Sequence, residues 1–247
     1  MRSVIIIPAL NEEAAIGDVV ASVRRNVDRV IVVDNGSTDQ TAQVASNAGA
    51  DTAFVDSPGY GRACLAGVAV AGDVDILIFM DGDGADDPQD LEALISPILD
   101  GRADLVIGSR VRGTLERGAL TLPQRWGNAL ATRLMRLFWG GSFTDLGPFR
   151  AIQRSAYESL NMQAPTFGWT VEMQVRALKG QLRCVEVPVA YRRRIGVSKI
   201  SGTIKGVVLA GAYILGTIFR EALSTNRARK GPPILEPKAS CSRETAL

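Results

Sequence analysis

The 247-residue chain is 46% hydrophobic and 22% charged, with a formal net charge of +2, the balance of a protein with a sizeable core. So small a net charge gives no general attraction to nucleic acid, and any basic function has to come from local clusters. Histidine is absent, which removes Ser-His-Asp triads, imidazole bases and His-ligated zinc or iron and leaves carboxylates, lysine, arginine and bound metal to carry chemistry.

In chain order, residues 4–7 form a β-branched run that predicts a buried strand, and Ile16, Val19, Val20 and Val23 then recur at helical spacing. The pattern repeats with a strand over 30–33 and a capping box, Ser37-Thr38-Asp39-Gln40, opening a helix through Ala48. A strand over 52–55 follows, then a small-residue helix after Gly59-Tyr60-Gly61 to about Gly72, then the strongest strand signal, over 75–80. Asp87-Pro88 predicts an N-cap carboxylate before proline at the first helical position, with Leu91, Leu94, Ile95, Ile98 and Leu99 as the core face. A strand over 105–107 closes the series, and beyond Arg110 the pattern changes to a Gly- and charge-rich loop, a helix over about 124–138 and mixed segments through Tyr191.

Strands alternating with helices predict an α/β fold with a mainly parallel central sheet covered on both faces, and ligands at the carboxyl ends of its strands. Cys64, Cys184 and Cys241 are odd in number and in no CxxC arrangement, which fits the reducing cytoplasm. The apolar run directly after Met1 and Arg2 is too short for a signal peptide, so no export is expected. The tail over 224–247, rich in charge, Pro and Ser, reads as a disordered end.

Four carboxylates, Asp81, Asp83, Asp86 and Asp87, fall at the end of the most hydrophobic strand, where their mutual repulsion is a standing cost that a cation would relieve. Oxygen ligands without His or Cys favour Mg2+ or Mn2+ completed by substrate phosphates. Asp87 is explained by capping alone. An EF-hand is ruled out, since Ala85 and Asp86 replace a ligand and the turn glycine, Pro88 intrudes, and a strand precedes the loop. A second acidic turn, Val33-Asp34-Asn35-Gly36-Ser37-Thr38-Asp39, offers Asp34 to a nucleobase edge or ribose. The first strand ends in Pro8-Ala9-Leu10-Asn11-Glu12-Glu13, without the Gly-rich fingerprint of a dinucleotide site.

Pro8-Ala9-Leu10-Asn11-Glu12, the turn at Asp34 and Asp81-Gly82-Asp83, at successive strand ends, together resemble the signatures of family 2 glycosyltransferases. Asp145-Leu146-Gly147-Pro148-Phe149-Arg150, Glu172 and Arg193-Arg194-Ile195-Gly196-Val197-Ser198-Lys199 resemble the dolichyl- and polyprenyl-phosphate sugar transferases, and the likeness spans about residues 1–205. It implies a GT-A, Rossmann-like fold with a C-terminal helix, and inverting transfer from a UDP- or GDP-linked sugar bound near Pro8, Leu10, Glu12, Asp34 and Gly36. It also implies a metal-binding DxD of Asp81 and Asp83 around Gly82, with Arg62 in the lysine's place of a GKG segment. Leu10 stands where many relatives carry an aromatic residue, and the run from Gly82 to Asp86 differs from that of mannosyl-phosphate-dolichol enzymes.

On this reading the metal stabilises the departing nucleoside diphosphate. A lipid phosphate is already anionic and needs orientation, for which Arg193, Ser198, Lys199 and Arg150 are candidates. A hydroxyl acceptor would need a general base, with Asp145 or Glu172 as candidates. Residues 206–219 are uncharged but shorter than the roughly 20 a spanning helix needs. They are expected as an interfacial helix holding the active site peripherally at the inner face of the cell membrane, with a core or homodimer helix as the alternative. Rival functions are a sugar-phosphate nucleotidyltransferase, whose Gly-rich loop is missing, and a non-catalytic nucleotide-binding module.

Overall fold

Strand β1 (Ser3–Ala9) is buried along its whole length because its alternating side chains feed two cores. Val4 and Ile6 pack on one face of the sheet, Ile5 and Ile7 on the other, each burial contributing about 1.5–3 kcal/mol. The computed structural model describes residues 1–196 and 204–224. After β1 come α1 (Ile16–Val23), β2 (Arg29–Asp34), α2 (Thr41–Asn47), β3 (Asp51–Phe54), α3 (Tyr60–Val70) and β4 (Ile76–Phe79). A 3-10 turn (Pro88–Asp90) leads into α4 (Leu91–Leu99), followed by β5 (Leu105–Ser109), α5 (Leu122–Trp139), β6 (Arg150–Gln153), α6 (Arg154–Leu160), α7 (Trp169–Lys179), β7 (Cys184–Pro188) and α8 (Ile204–Leu223).

The strands form one sheet in the order β3-β2-β1-β4-β6-β5-β7. It is mostly parallel, and β6 runs antiparallel to both β4 and β5. The chain winds outwards from β1 to β3 and then returns to the other flank of β1 as β4. That reversal makes the carboxyl ends of β1 and β4 a topological switch point, the place where open α/β sheets bind ligands.

Side-chain caps open the 3-10 turn at Asp87 and helix α5 at Thr121, and two sequence expectations about the helices are corrected. Asp87 caps as expected, its Oδ1 accepting the Gln89 N–H at 3.1 Å ahead of Pro88. The helix expected from residue 37 begins only at Thr41. Ser37 Oγ accepts the Asn11 N–H instead (2.9 Å), and Asp39 Oδ1 takes the Thr41 N–H (3.0 Å). Leu99 lies at the edge of the α4 stripe and is 54% exposed rather than in the core. In the second half, α8 packs on α5 and α7 through the buried Ile218, and Glu221 meets Lys179 Nζ at 2.9 Å and Arg176 Nη2 at 3.1 Å. No helix among the described residues is long and apolar enough to cross a membrane. Ser198, Lys199 and residues 225–247 of the expected tail lie outside the described residues.

Candidate active site

The turns after β1 and β2 are stitched together by short polar contacts. Asn11, with a left-handed φ of 53°, accepts the Thr38 N–H on its side-chain oxygen at 2.7 Å, and the Glu12 N–H donates to Thr41 Oγ1 at 2.8 Å. Asp34 is 6% exposed, and its Oδ1 accepts the N–H groups of Gly36 (3.0 Å) and Ser37 (2.7 Å). Gly36 has φ of 91°, which an L side chain rarely adopts. Pro8 is buried in strand register beside Val33, and Leu10 is half-buried. Arg62 is exposed at the start of α3, its Nη1 donating to the Pro58 carbonyl at 2.8 Å.

Beside these, the turn after β4 gathers Asp81, Asp83 and Asp86, of which Asp83 is 6% and Asp86 2% exposed; Gly82 between the first two is buried as well. Asp83 Oδ1 accepts the Ala85 N–H at 3.0 Å. Asp86 Oδ1 is buried with no hydrogen-bond partner. Burial, reinforced by the charge of Asp83, pushes the Asp81 carboxyl up to about 7. Burial and then the charges of Asp81 and Asp83 hold Asp86 well above the usual carboxylate range. The turn therefore has hard oxygen donors, an orphaned acceptor and only partly compensated repulsion, which suits a divalent cation that takes its remaining ligands from phosphate and water. Among the described residues no group of three or more side chains is already arranged as a metal site.

The segment after β7 runs along this turn. The Arg192 N–H donates to the Ala85 carbonyl (2.8 Å), the Ile195 N–H to the Asp83 carbonyl (2.9 Å), and the Arg192 guanidinium pairs with Asp87. Arg194 places Nη2 2.6 Å from Glu12 Oε1 and Nη1 3.1 Å from Asp83 Oδ2. Arg193 is exposed, and its backbone N–H donates to Glu116. The arginine the structure brings to the acidic turn is thus Arg194, a neighbour of the candidate Arg193.

Three expected site residues take other tasks. Arg150 is 0% exposed, and its guanidinium donates to the carbonyls of Gly147 (Nε, 3.0 Å), Thr170 (Nη1, 2.9 Å) and Leu146 (Nη2, 2.9 Å). It braces the chain around residues 146–150 and is not presented to a phosphate; burial lowers its pKa to about 10. Asp145, also fully buried, is gripped by Arg110 through Nε (2.8 Å) and Nη2 (2.7 Å), so its oxygens are committed to a bidentate pair and not to a base. Glu172 is buried; it accepts the N–H groups of Gln163 and Ala164 and pairs with Arg176 at 2.9 Å, which commits it to holding these segments together.

Arg110 itself was not picked out from sequence, although it directly follows β5 and so stands at the ligand-binding end of the sheet. Its guanidinium lies 5.0 Å from the Tyr191 ring centroid, and Tyr191 bridges to Asp86 and to Leu115. Beyond it a groove of about 410 Å3 runs along α5, lined by Arg110, Arg125, Arg133, Arg136, Leu120 and Phe143 among others.

Known proteins give this arrangement a context. Residues 4–160 match the family described as glycosyl transferase family 2. An uncharacterized glycosyltransferase of Mycobacterium tuberculosis is 36% identical over 211 residues, covering 83% of this chain and 93% of its own. An undecaprenyl-phosphate mannosyltransferase of Micrococcus luteus is 31% identical over 94% of this chain and 100% of its own. The crystal structure of glucosyl-3-phosphoglycerate synthase from Mycobacterium tuberculosis, in complex with Mn2+, UDP and phosphoglyceric acid, matches with a TM-score of 0.72 at 24% identity, covering 90% of this chain and 78% of that one. That likeness gives the fold, the GT-A arrangement of a mostly parallel sheet with flanking helices. With more than half its length matched, the chain belongs to glycosyl transferase family 2.

Proposed function

We propose that this glycosyltransferase moves a sugar, with inversion, from a UDP- or GDP-linked donor to a polyprenyl- or dolichyl-phosphate-type lipid. In this reading it uses Mg2+ or Mn2+ held by Asp81 and Asp83 and works peripherally at the cytoplasmic face of the membrane, with residues 1–205 as the transferase domain and 206–223 as an appended helix. The observation that carries the reading is the carboxylate turn at the sheet's reversal point, where Asp81 is pushed up to about 7 and Asp86 Oδ1 is left unpaired. A bound divalent ion there would stabilise charge on the leaving nucleoside diphosphate.

The chain's own residues divide the remaining work. Pro8, Leu10, Glu12, Asp34 and Gly36 face the nucleoside, with Arg62 and Gly82 flanking. Arg194, in place of Arg193, meets the diphosphate through charge-assisted hydrogen bonds once Glu12 and Asp83 release it. The acceptor enters by the groove along α5. No ion pair among the described residues engages Arg125, Arg133 or Arg136, so they are available to an anion. A phosphate acceptor is favoured over a hydroxyl because both candidate bases, Asp145 and Glu172, are held in buried ion pairs, and a phosphate nucleophile needs no base. The named activity of the Micrococcus luteus relative supports the same acceptor class.

The test is transfer of radiolabelled sugar from UDP- and GDP-linked donors to purified polyprenyl phosphate with and without Mn2+. A product hydrolysed by mild acid, formed only with metal, is expected. An acid-stable linkage, or turnover unaffected by chelation, would overturn the acceptor or the metal assignment respectively.

A further inference from the structure

Helix α5 is apolar on two faces. Ala131, Met135 and Trp139 are buried against the core, yet Leu122, Trp126, Leu130 and Leu137, at spacings of four, four and seven, form a stripe on the opposite side with exposures of 68, 75, 48 and 75%. A surface helix of a globular protein normally turns polar residues outward. The stripe continues onto α8, which packs against α5: Phe138 meets Phe219 ring to ring at 6.2 Å, and Val208, Leu209, Tyr213 and Phe219 are 42–65% exposed. An exposed apolar area of this extent marks a docking surface.

We infer that this α5–α8 face docks on an anionic phospholipid bilayer. The charge pattern selects that occupant. Helix α5 carries Arg125, Arg133 and Arg136 and no acidic residue. An aromatic residue amid leucines with arginines along one edge is what an interfacial helix needs, apolar side chains below the headgroups and cations among them. The same three arginines line the 410 Å3 groove, so a lipid whose phosphate enters the groove would hold its chain on the side where the bilayer lies. The inference rests on the lipid-acceptor reading for the site it serves, but its test needs no substrate.

Full-length protein is sedimented with phosphatidylcholine vesicles with and without phosphatidylglycerol. Binding is expected only to the anionic vesicles and to fall with salt. Trp126→Asp with Leu137→Asp should weaken it on the order of 100-fold, and Arg133→Glu by at least about fivefold, with unchanged melting temperatures because these side chains are exposed. Absence of binding to anionic vesicles overturns the inference, as does a stable homodimer that Trp126→Asp dissociates, which would make the face a contact between two copies. Transfer to lipid phosphate is measured separately in detergent; its failure alongside intact vesicle binding would count against the acceptor reading and leave the docking face standing.

Discussion

Arg194 reaches back across the chain to put its Nη2 2.6 Å from Glu12 Oε1 while its Nη1 stands 3.1 Å from Asp83 Oδ2. One guanidinium thereby joins the turns after β1 and β4, the two neighbouring strands at which the strand order reverses. With the donor absent it partly neutralises carboxylates assigned to the metal and the nucleotide.

Replacing Arg194 by Ala should act in two directions. Loss of a charge-assisted contact to the diphosphate lowers turnover about 10- to 100-fold, while removal of a competing cation tightens Mn2+ binding in the absence of donor by about tenfold. Arg193→Ala should change both less than about threefold. Steady-state kinetics and calorimetric Mn2+ titration of the two variants read these effects, and equal losses in both would return the role to Arg193.

Asp81→Asn should stabilise the metal-free chain while abolishing metal-dependent donor binding. A carboxyl whose folded pKa is raised from 3.8 to about 7 by burial and by Asp83 costs stability increasingly as pH rises through that interval. The substitution removes that cost, about 1–3 kcal/mol at neutral pH and nothing near pH 4. Thermal melts at the two pH values, with chelator present, check the sign.

Asp145→Asn separates a structural task from a catalytic one. The change leaves the half-buried Arg110 without its bidentate partner and should destabilise the fold by about 2–4 kcal/mol. Activity per folded molecule, measured at low temperature, should fall far less than the ~100-fold expected for loss of a general base. A fully folded, inactive variant would reinstate Asp145 as the base.

The seat of α8 should be acid-sensitive. Burial pushes the Glu221 carboxyl up, but its bonds to Lys179 and the charge of Arg176 outweigh this and leave it below its usual 4.5. A depressed carboxylate stabilises the fold above its unfolded pKa and loses that contribution as pH falls through the folded value. Protection of α8 amides against hydrogen exchange, relative to their intrinsic rates at each pH, should therefore fall below about pH 4.5, and Glu221→Gln should cost about 1–3 kcal/mol already at neutral pH.

What the sequence alone determined was written locally. The β-branched runs of β1, β2 and β4 report burial on both faces of a sheet, Asp87-Pro88 specifies its own cap within three residues, and the turns at Glu12, Asp34 and Asp81 follow directly from strand ends, so their clustering needed only the parallel winding of the chain. The tertiary structure decided what depends on distant pairing. Arg192 and Arg194 reach Asp87 and the Glu12–Asp83 pair, while the neighbouring Arg193 is exposed, and no local pattern chooses among three consecutive arginines. The antiparallel insertion of β6 and the Arg110–Asp145 pair likewise arise only when segments 35 or more residues apart in sequence are packed together, and Arg150 is sealed among carbonyls up to 20 residues away, because burial converts a charge from a surface group into one that must be paired.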